Sequence, residues 1–278
     1  MSLFISSLNS GSNGNCYYIG NETDAILVDA GISCRETERR MLHCSLDIKK
    51  LKAIFVSHEH ADHINGLRVL SKKYQLPVYI TDSTERFGNL NLEKDLVRRF
   101  HADQPVQIGE LNILPFQKRH DAADPHSFII SSASVKIGVF TDIGIACEKV
   151  IYHFNQCHAA FLEANYDEDM LMNGNYPYHL KKRISDGNGH LSNIQALELF
   201  LNHRPIFMSH LILSHLSQNN NKPELVSKLF HKHAAGTNIV IASRYEPTGV
   251  YRIDDNWNQN IPIIRKNIPT KPQQLSLF

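Results

Sequence analysis

The stretch that decides the fold reads Ala53-Ile54-Phe55-Val56-Ser57-His58-Glu59-His60-Ala61-Asp62-His63. Its first four residues are apolar and of strand length, and the polar hexapeptide begins where such a strand must leave its sheet. In an extended segment residues two apart point the same way, so His58 and His60 can share one metal ion. A turn into a helix beginning near Ile64 would then present Asp62 and His63 to a second ion beside the first. Imidazole and carboxylate without thiolate suit zinc, with manganese and iron as alternatives. A solvated polar loop is the plain competing reading; four ligand-type residues in six, at a strand end, argue against it.

The rest of the composition is that of an ordinary globular protein. Its 278 residues are 42% hydrophobic and 21% charged, enough for one large domain or two small ones, with a core that needs no disulfide or metal staple. Twenty-nine Lys and Arg against 28 Asp and Glu leave a formal charge of +1, which excludes a global electrostatic pull on a polyanion. Any nucleic-acid binding would need a local basic patch. Cys16, Cys34, Cys44, Cys147 and Cys157 contain no Cys-x-x-Cys pair and read neither as a disulfide framework nor as a thiolate zinc site. No apolar run approaches the length of a bilayer span and the first residues carry no leader pattern, so the expected protein is reduced, cytoplasmic and not membrane-bound.

Short apolar runs rich in β-branched residues recur at 3–5, 16–19, 25–28, 53–56, 78–80, 113–116, 128–130, 135–140, 159–162, 206–213, 239–241 and 250–253. Helical spacing appears at Ile194, Leu197 and Leu201 behind the cap candidate Ser192, and at Leu225, Leu229 and Phe230 behind Pro223. Paired strands without helices early, then helices between later strands, predict two β-sheets covered by helices. From about Asn256 the sequence turns polar, with Pro262, Pro269 and Pro272, which divides a domain over 1–255 from a tail over 256–278.

His-x-His-x-Asp-His over 58–63 resembles the signature of the metallo-β-lactamase superfamily. That family's pattern adds an upstream Asp, a lone His, a bridging Asp and a final His, each at a strand end. Asp29 after Ile26-Leu27-Val28, His120 after the run 113–117, Asp142 in Gly138-Val139-Phe140-Thr141-Asp142 and His215 in Leu211-Ile212-Leu213-Ser214-His215 match it. The resemblance implies an α+β fold, a four-layer αββα sandwich. It also implies one cation held by His58, His60 and His120, a second held by Asp62, His63 and His215, Asp142 between them, and Asp29 as the buttress of the histidine loop. His126 competes with His120, and His210 with His215. Odd spacing along one strand puts His210 and His215 on opposite faces, and His215 is preferred because it ends its run.

The segments 9–16, 120–125, 162–167, 189–193 and 213–220, in that order, narrow the resemblance to the YycJ-like group, which implies a DNA-processing nuclease. Between Asp142 and His190 there is too little chain for the inserted domain of the β-CASP nucleases. By the same resemblance His190, opening a helix, would donate a proton to the leaving oxygen. Asp62 would orient the nucleophile between two ions about 3.5–4 Å apart. Ser12 and Asn13, between Gly11 and Gly14, can offer backbone N–H groups to an anion; a plain hairpin loop is the alternative. Tyr176 and Tyr178 beside Lys181, Lys182 and Arg183 offer faces for bases and cations for phosphates; a solvated basic turn is the alternative.

Gln274-Leu275-Ser276-Leu277-Phe278 is similar to the peptide by which bacterial replication and repair proteins dock on the DNA polymerase sliding clamp. Gln274, Leu275, Leu277 and Phe278 would bind the clamp and raise the local concentration on DNA without a strongly basic surface. The combined expectation is a dinuclear-metal phosphodiester hydrolase, a DNA nuclease of repair or replication tethered to the clamp. Two other readings stay open: a small-molecule phosphodiesterase or ester or thioester hydrolase of the same fold, and a non-catalytic clamp-bound interaction protein.

Overall fold

Each apolar run finds its partner in one of two sheets. In the computed structural model, which describes residues 2–255, the first sheet contains β1 (Leu3–Asn9), β2 (Cys16–Gly20), β3 (Ala25–Val28), β4 (Leu51–Phe55), β5 (Val78–Tyr79) and β6 (Val97–Arg98). The second contains β7 (Val106–Ile108), β8 (Leu111–Gln117), β9 (His126–Ser132), β10 (Val135–Phe140), β11 (Ala159–Glu163), β12 (His210–Ser214) and β13 (Asn238–Ile241). β14 (Tyr251–Ile253) returns to pair antiparallel with β1, so each sheet has seven strands among the described residues. Both change character part-way. β1 to β3 pair antiparallel and β3 to β6 parallel; β7 to β10 pair antiparallel and β10 to β13 parallel.

The parallel strands are apolar on both faces because both faces are covered. Ile5, Tyr17, Val28 and Phe55 of the first sheet meet Ile113, Phe128, Val139 and Phe161 of the second in one buried cluster. Tyr17 lies 4.9 Å from Phe161 and Phe55 lies 5.7 Å from Phe128, ring centre to ring centre. The outer face of the first sheet packs Leu27 and Ile54 under α1 (Cys34–His43) and α3 (Leu67–Tyr74), through Met41, Leu67 and Leu70. The short α2 (Ala61–Ile64) precedes α3, and α4 (Asp82–Phe87) follows β5. On the outer face of the second sheet Phe140, Leu162 and Leu213 pack under α5 (Glu148–Phe154), α8 (Asn193–His203) and α9 (Pro223–His231), through Phe154, Phe200 and Phe230. Between β11 and α8 come α6 (Glu168–Asn173) and α7 (Tyr178–Ser185). Every such side chain, fully buried, contributes about 1.5–3 kcal/mol. The result is the expected four-layer αββα sandwich.

Ser192 caps α8 in a reciprocal capping box with Gln195, and Pro223 starts α9. Three expectations shift. Helices lie in both halves: α1 is dominated by charge and α2 and α4 are too short to show periodicity. The run 206–213 is a strand only from His210, because Met208 N donates to Pro205 O at 3.1 Å in a turn. His190 lies ahead of α8, which begins at Asn193. The motif Gln274 to Phe278 lies outside the described residues.

Candidate metal centre

The carboxyl ends of the parallel strands converge on one edge of the sandwich, where open α/β sheets gather their functional groups. Asp29 follows β3, the 58–63 segment follows β4, and Asp142 and His215 follow β10 and β12. Asp29, Asp142 and His215 each adopt the left-handed backbone conformation, with φ of 62°, 54° and 56°. For a residue with a Cβ this costs about 1–2 kcal/mol, and it bends the chain sharply while keeping a functional side chain at the bend. α2 begins at Ala61, earlier than expected, with His60 at its cap, so Asp62 and His63 lie in its first turn. Gly31 makes this possible: a Cβ there would fall 1.7 Å from Asp62 O.

His58 Nε2 lies 3.0 Å from His60 Nδ1, and His120 Nε2 lies 3.3 Å from the same atom. Each outer nitrogen is already committed. Ser57 Oγ donates to Asp29 Oδ2, so it accepts from His58 Nδ1 at 2.9 Å, and His120 Nδ1 donates to Gly189 O at 2.9 Å. His58 Nε2 and His120 Nε2 are therefore both lone pairs, converging with His60 on one point. Three nitrogens bound to a tetrahedral ion at about 2.0–2.1 Å stand roughly 3.3 Å apart, close to the 3.0 and 3.3 Å that separate His60 Nδ1 from the other two.

In the second group, Asp29 Oδ2 accepts from His63 Nδ1 at 2.7 Å and Asp29 Oδ1 from Ser57 N at 2.8 Å, so Asp29 ties down the histidine loop from behind. His63 Nε2 then faces Asp142 Oδ2 at 3.2 Å and Asp62 Oδ2 at 3.5 Å, and His215 Nε2 faces Asp62 Oδ2 at 3.3 Å. Asp142 reaches both groups, its Oδ1 lying 3.8 Å from His120 Nε2. Apart from the His63 Nε2 contact at 3.2 Å, Asp142 Oδ2 is buried without a hydrogen-bond partner among the described residues, leaving an anionic lone pair that a cation would satisfy. His58 with His60 and His120, and Asp62 with His63 and His215, each form a compact set of donor atoms. The residues present fit a pair of divalent cations.

Glu163, at the end of β11, is the functional residue that sequence reasoning missed. It is fully buried. Its Oε1 accepts from His190 Nδ1 at 2.8 Å and His215 Nδ1 at 2.9 Å, and its Oε2 from the amides of Ile143 at 2.8 Å and Leu191 at 3.2 Å. Asn15 was missed too: its amide donates to Asp62 Oδ2 at 3.0 Å and lies 3.1 Å from His63 Nε2. Burial opposes the charge of Glu163, but the histidines beside it hold its carboxyl down to about 2. Burial likewise opposes ionising Asp62 and Asp142, and the His63 and His215 charges hold both well below the carboxylate range. Burial lowers His58, and it lowers His120 to about 4. For His63 and His215 burial is outweighed by Asp142 and its neighbours, which raise both, His215 to about 10. His58 and His120 are thus neutral and open to a cation, whereas protons occupy His63 and His215 until a cation displaces them.

A cavity of about 310 Å³ opens in front of these groups, lined by His60, Asp62, Asp142, His190 and His215 and by residues of α7 and the 217–219 loop. Ser12, Tyr176 and Arg183 line it, and Asn13, Tyr178, Lys181 and Lys182 do not. α7 turns Leu180, Arg183 and Ile184 to the cavity, one helical face at i, i+3 and i+4, while Lys181 Nζ donates to Met172 O at 2.6 Å. His126 packs against Phe100 and lines a separate cavity. His210 sits at the other end of β12 from His215, against Tyr251. Strand length separates those two histidines, rather than the face parity expected.

A family model described as "Beta-lactamase superfamily domain" matches residues 24–216. The chain belongs to the metallo-β-lactamase superfamily. Within it, the exodeoxyribonuclease YycJ of Bacillus anthracis is 34% identical over 230 residues, 81% of this chain and 86% of that protein. The exodeoxyribonuclease WalJ of Streptococcus pneumoniae is 30% identical over 225 residues, 78% and 83% of the two chains. Among solved structures, the metallo-β-lactamase fold protein YhfI of Bacillus subtilis superposes with a TM-score of 0.69 over 91% of this chain and 100% of that one, at 18% identity. This superfamily member is a metal-dependent hydrolase. No helix of the described residues is long and apolar enough to cross a membrane.

Proposed function

We propose that this hydrolase is a DNA exonuclease of the cytoplasm, acting in repair or replication. The observation that carries the reading is His190. Its Nδ1 is held by Glu163, its ring is partly exposed to the cavity, and it stands 5.2 Å from the rings of both His120 and His215. A hydrolase of small activated esters has no need of a positioned proton donor beside its metals; a phosphodiester with a poor sugar leaving group does. The relatedness to YycJ and WalJ supports the choice of DNA.

His58, His60 and His120 would hold one cation, Asp62, His63 and His215 the other, and Asp142 would lie between them; zinc suits this donor set, with manganese as the alternative. Bound there, the pair would supply Lewis acidity toward the phosphodiester and activate water for in-line attack. Asn15 fixes Asp62 through Oδ2, leaving Oδ1 to accept a proton from the attacking water. Glu163 accepts from His190 Nδ1 and supports positive charge on the ring, so that the ring, when doubly protonated, would give its Nε2 proton to the departing oxygen. Gln274, Leu275, Leu277 and Phe278 would tether the enzyme to the sliding clamp.

The test is an assay on end-labelled single- and double-stranded DNA and RNA with zinc or manganese, comparing wild type, Asp62→Ala and His190→Ala. DNA should be shortened from its ends, Asp62→Ala should be inactive, and His190→Ala should lose about 10²–10⁴-fold in kcat. The His190→Ala defect should nearly vanish when the leaving group is p-nitrophenolate, which departs without a proton. Metal-replete wild type that leaves DNA and RNA intact while cleaving small phosphodiesters would sink the proposal. Truncation after Gln273 should abolish clamp binding without changing turnover of short oligonucleotides; a truncated chain that still binds purified clamp removes the tether.

A further inference from the structure

Arg244, in the loop after β13, reaches the segment that follows His215. Its Nη2 donates to Leu216 O at 2.6 Å and its Nη1 to Gln218 Oε1 at 3.1 Å. The guanidinium lies over Gly11, where a Cβ would stand 3.1 Å from Nη2, and Asn13 Nδ2 donates to Arg244 O at 3.1 Å. Ser12 and Gln218, on either side of this contact, both line the catalytic cavity.

Some arginines of the chain meet carboxylates, as Arg183 meets Asp121, Arg40 meets Glu36, and Arg99 meets Asp82 and Glu85; Arg98 and Arg204 donate to backbone carbonyls, away from the catalytic cavity. Both acceptors of Arg244 among the described residues are neutral oxygens. Its guanidinium has five N–H donors, and a partly buried cation without a counter-charge is costly unless something outside supplies one. The neighbouring turn is equally unspent. The amides of Ser12 and Asn13 donate to no backbone oxygen among the described residues, both residues are exposed, and Gly11 and Gly14 flank them at φ of 137° and 148°. Consecutive free N–H groups beside a guanidinium suit a tetrahedral oxyanion.

The geometry points to a phosphate subsite made of the Arg244 guanidinium, the Ser12 hydroxyl and the Ser12 and Asn13 amides, which holds a backbone phosphodiester of the substrate strand next to the one at the metals. The subsite deepens the nuclease reading and takes its ligand from it. Arg183 is neutralised by Asp121, so Arg244 gives the rim a cation able to grip the strand in a protein whose formal charge is only +1.

The test compares full-length, metal-loaded wild type, Arg244→Gln and Arg244→Lys on two substrates. One is a single-stranded oligonucleotide; the other is bis(p-nitrophenyl) phosphate, which has a single phosphodiester and nothing flanking it. Arg244→Gln should raise KM for the oligonucleotide about tenfold and flatten the slope of log(kcat/KM) against log salt by about 0.7. Its kcat, and both constants on the small substrate, should stay within about twofold, and Arg244→Lys should recover most of the loss. Anisotropy of a labelled phosphorothioate oligonucleotide gives the same comparison without turnover. Unchanged oligonucleotide constants in Arg244→Gln would overturn the subsite, and equal losses on both substrates would reduce Arg244 to a brace for the 216–218 loop. Wild type that neither binds nor cleaves DNA yet hydrolyses the small substrate would instead remove the nuclease reading, and the subsite with it.

Discussion

Glu163→Gln is the sharpest probe of the centre because it changes one charge and no shape. The wild-type carboxylate accepts four hydrogen bonds, two from imidazoles at Oε1 and two from backbone amides at Oε2. A glutamine offers one acceptor oxygen and one donor NH2. The amides of Ile143 and Leu191 cannot become acceptors, so the carbonyl must face them and the NH2 must face His190 and His215. Each imidazole can accept that NH2 only by moving its own proton from Nδ1 to Nε2. For His215 this puts a proton on the nitrogen that faces Asp62, where the cation would bind. For His190 it removes the carboxylate that supports positive charge on the ring. Changes of this kind behind a metal ligand cost about 10–100-fold in affinity or activity. At limiting zinc the change at His215 alone should therefore lower turnover about 10–100-fold, and the change at the proton donor His190 should lower it further. Loss of two charge-assisted bonds at about 1.5–3 kcal/mol each should also lower the Tm of the metal-free protein by several degrees. The assay is metal content after equilibration against buffered zinc, with kcat measured on the same samples. A Glu163→Gln protein that holds both ions at wild-type free zinc and turns over within about threefold of wild type would refute the tautomer argument.

Asp29→Asn should do the same to the other half, since an NH2 would oppose Ser57 and His63 Nδ1; breaking this buried pair should cost about 3–5 kcal/mol by urea unfolding. Gly31→Ala has no room at Asp62 O, so it should displace Asp62, lower Tm and cut activity at least about 100-fold even at saturating metal. A normal Gly31→Ala enzyme would show that the backbone contact is not tight. The stability of chelator-treated protein should depend on pH from both sides. Glu163, depressed to about 2, contributes fully above its unfolded value of about 4.3 and loses that contribution as pH falls through about 2. His215, raised to about 10, contributes fully below about 6.5 and loses it as pH rises through about 10. Scanning calorimetry should accordingly find highest stability between about pH 5 and 6.5. The increment in Tm from zinc should grow with pH, because cations displace protons from the second group; an increment that shrinks from pH 6 to 8 contradicts the charge assignment.

The architecture and the convergence of His58, His60, Asp62, His63, His120, Asp142 and His215 were legible because each of these residues closes or follows an apolar run, and strand ends are where a sheet exposes its polar cargo. Glu163 closes the buried run Ala159 to Leu162 as Asp29 closes its own strand, so the same signal was present there. What hid it was that one carboxylate after a strand does not distinguish a group that holds histidines from one on the surface. Asn15 reaches Asp62 and His63, and Ser57 reaches Asp29, through hydrogen bonds across long stretches of chain, which no spacing encodes. Only Tyr176 and Arg183 of the residues singled out in the 176–183 segment line the cavity, because helical periodicity, not proximity in sequence, decides which side chains reach it. Arg244 left no signal at all; its meaning comes from its place between the 11–14 turn and the 216–218 segment.

The two sheets explain why so many donors meet at one edge. In each, the strand at which antiparallel pairing gives way to parallel ends in a left-handed aspartate: Asp29 after β3 and Asp142 after β10. In each, the next strand delivers the partner of that aspartate, the histidine loop after β4 and Glu163 after β11. The roles are exchanged between the halves. In the first, the aspartate is sunk behind the histidines and holds them; in the second, the aspartate stands among them and the glutamate holds from behind. Three left-handed residues together cost about 3–6 kcal/mol, a large share of the net stability of a domain. Each has anchors that offset it. Asp29 accepts from Ser57 and His63, Ile143 beside Asp142 donates to Glu163, and His215 is tied by Ser10, Asn165 and Glu163. Glycine at any of the three would relieve the backbone and remove the side chain, so the strain persists where a sharp bend and a donor atom are needed at the same position.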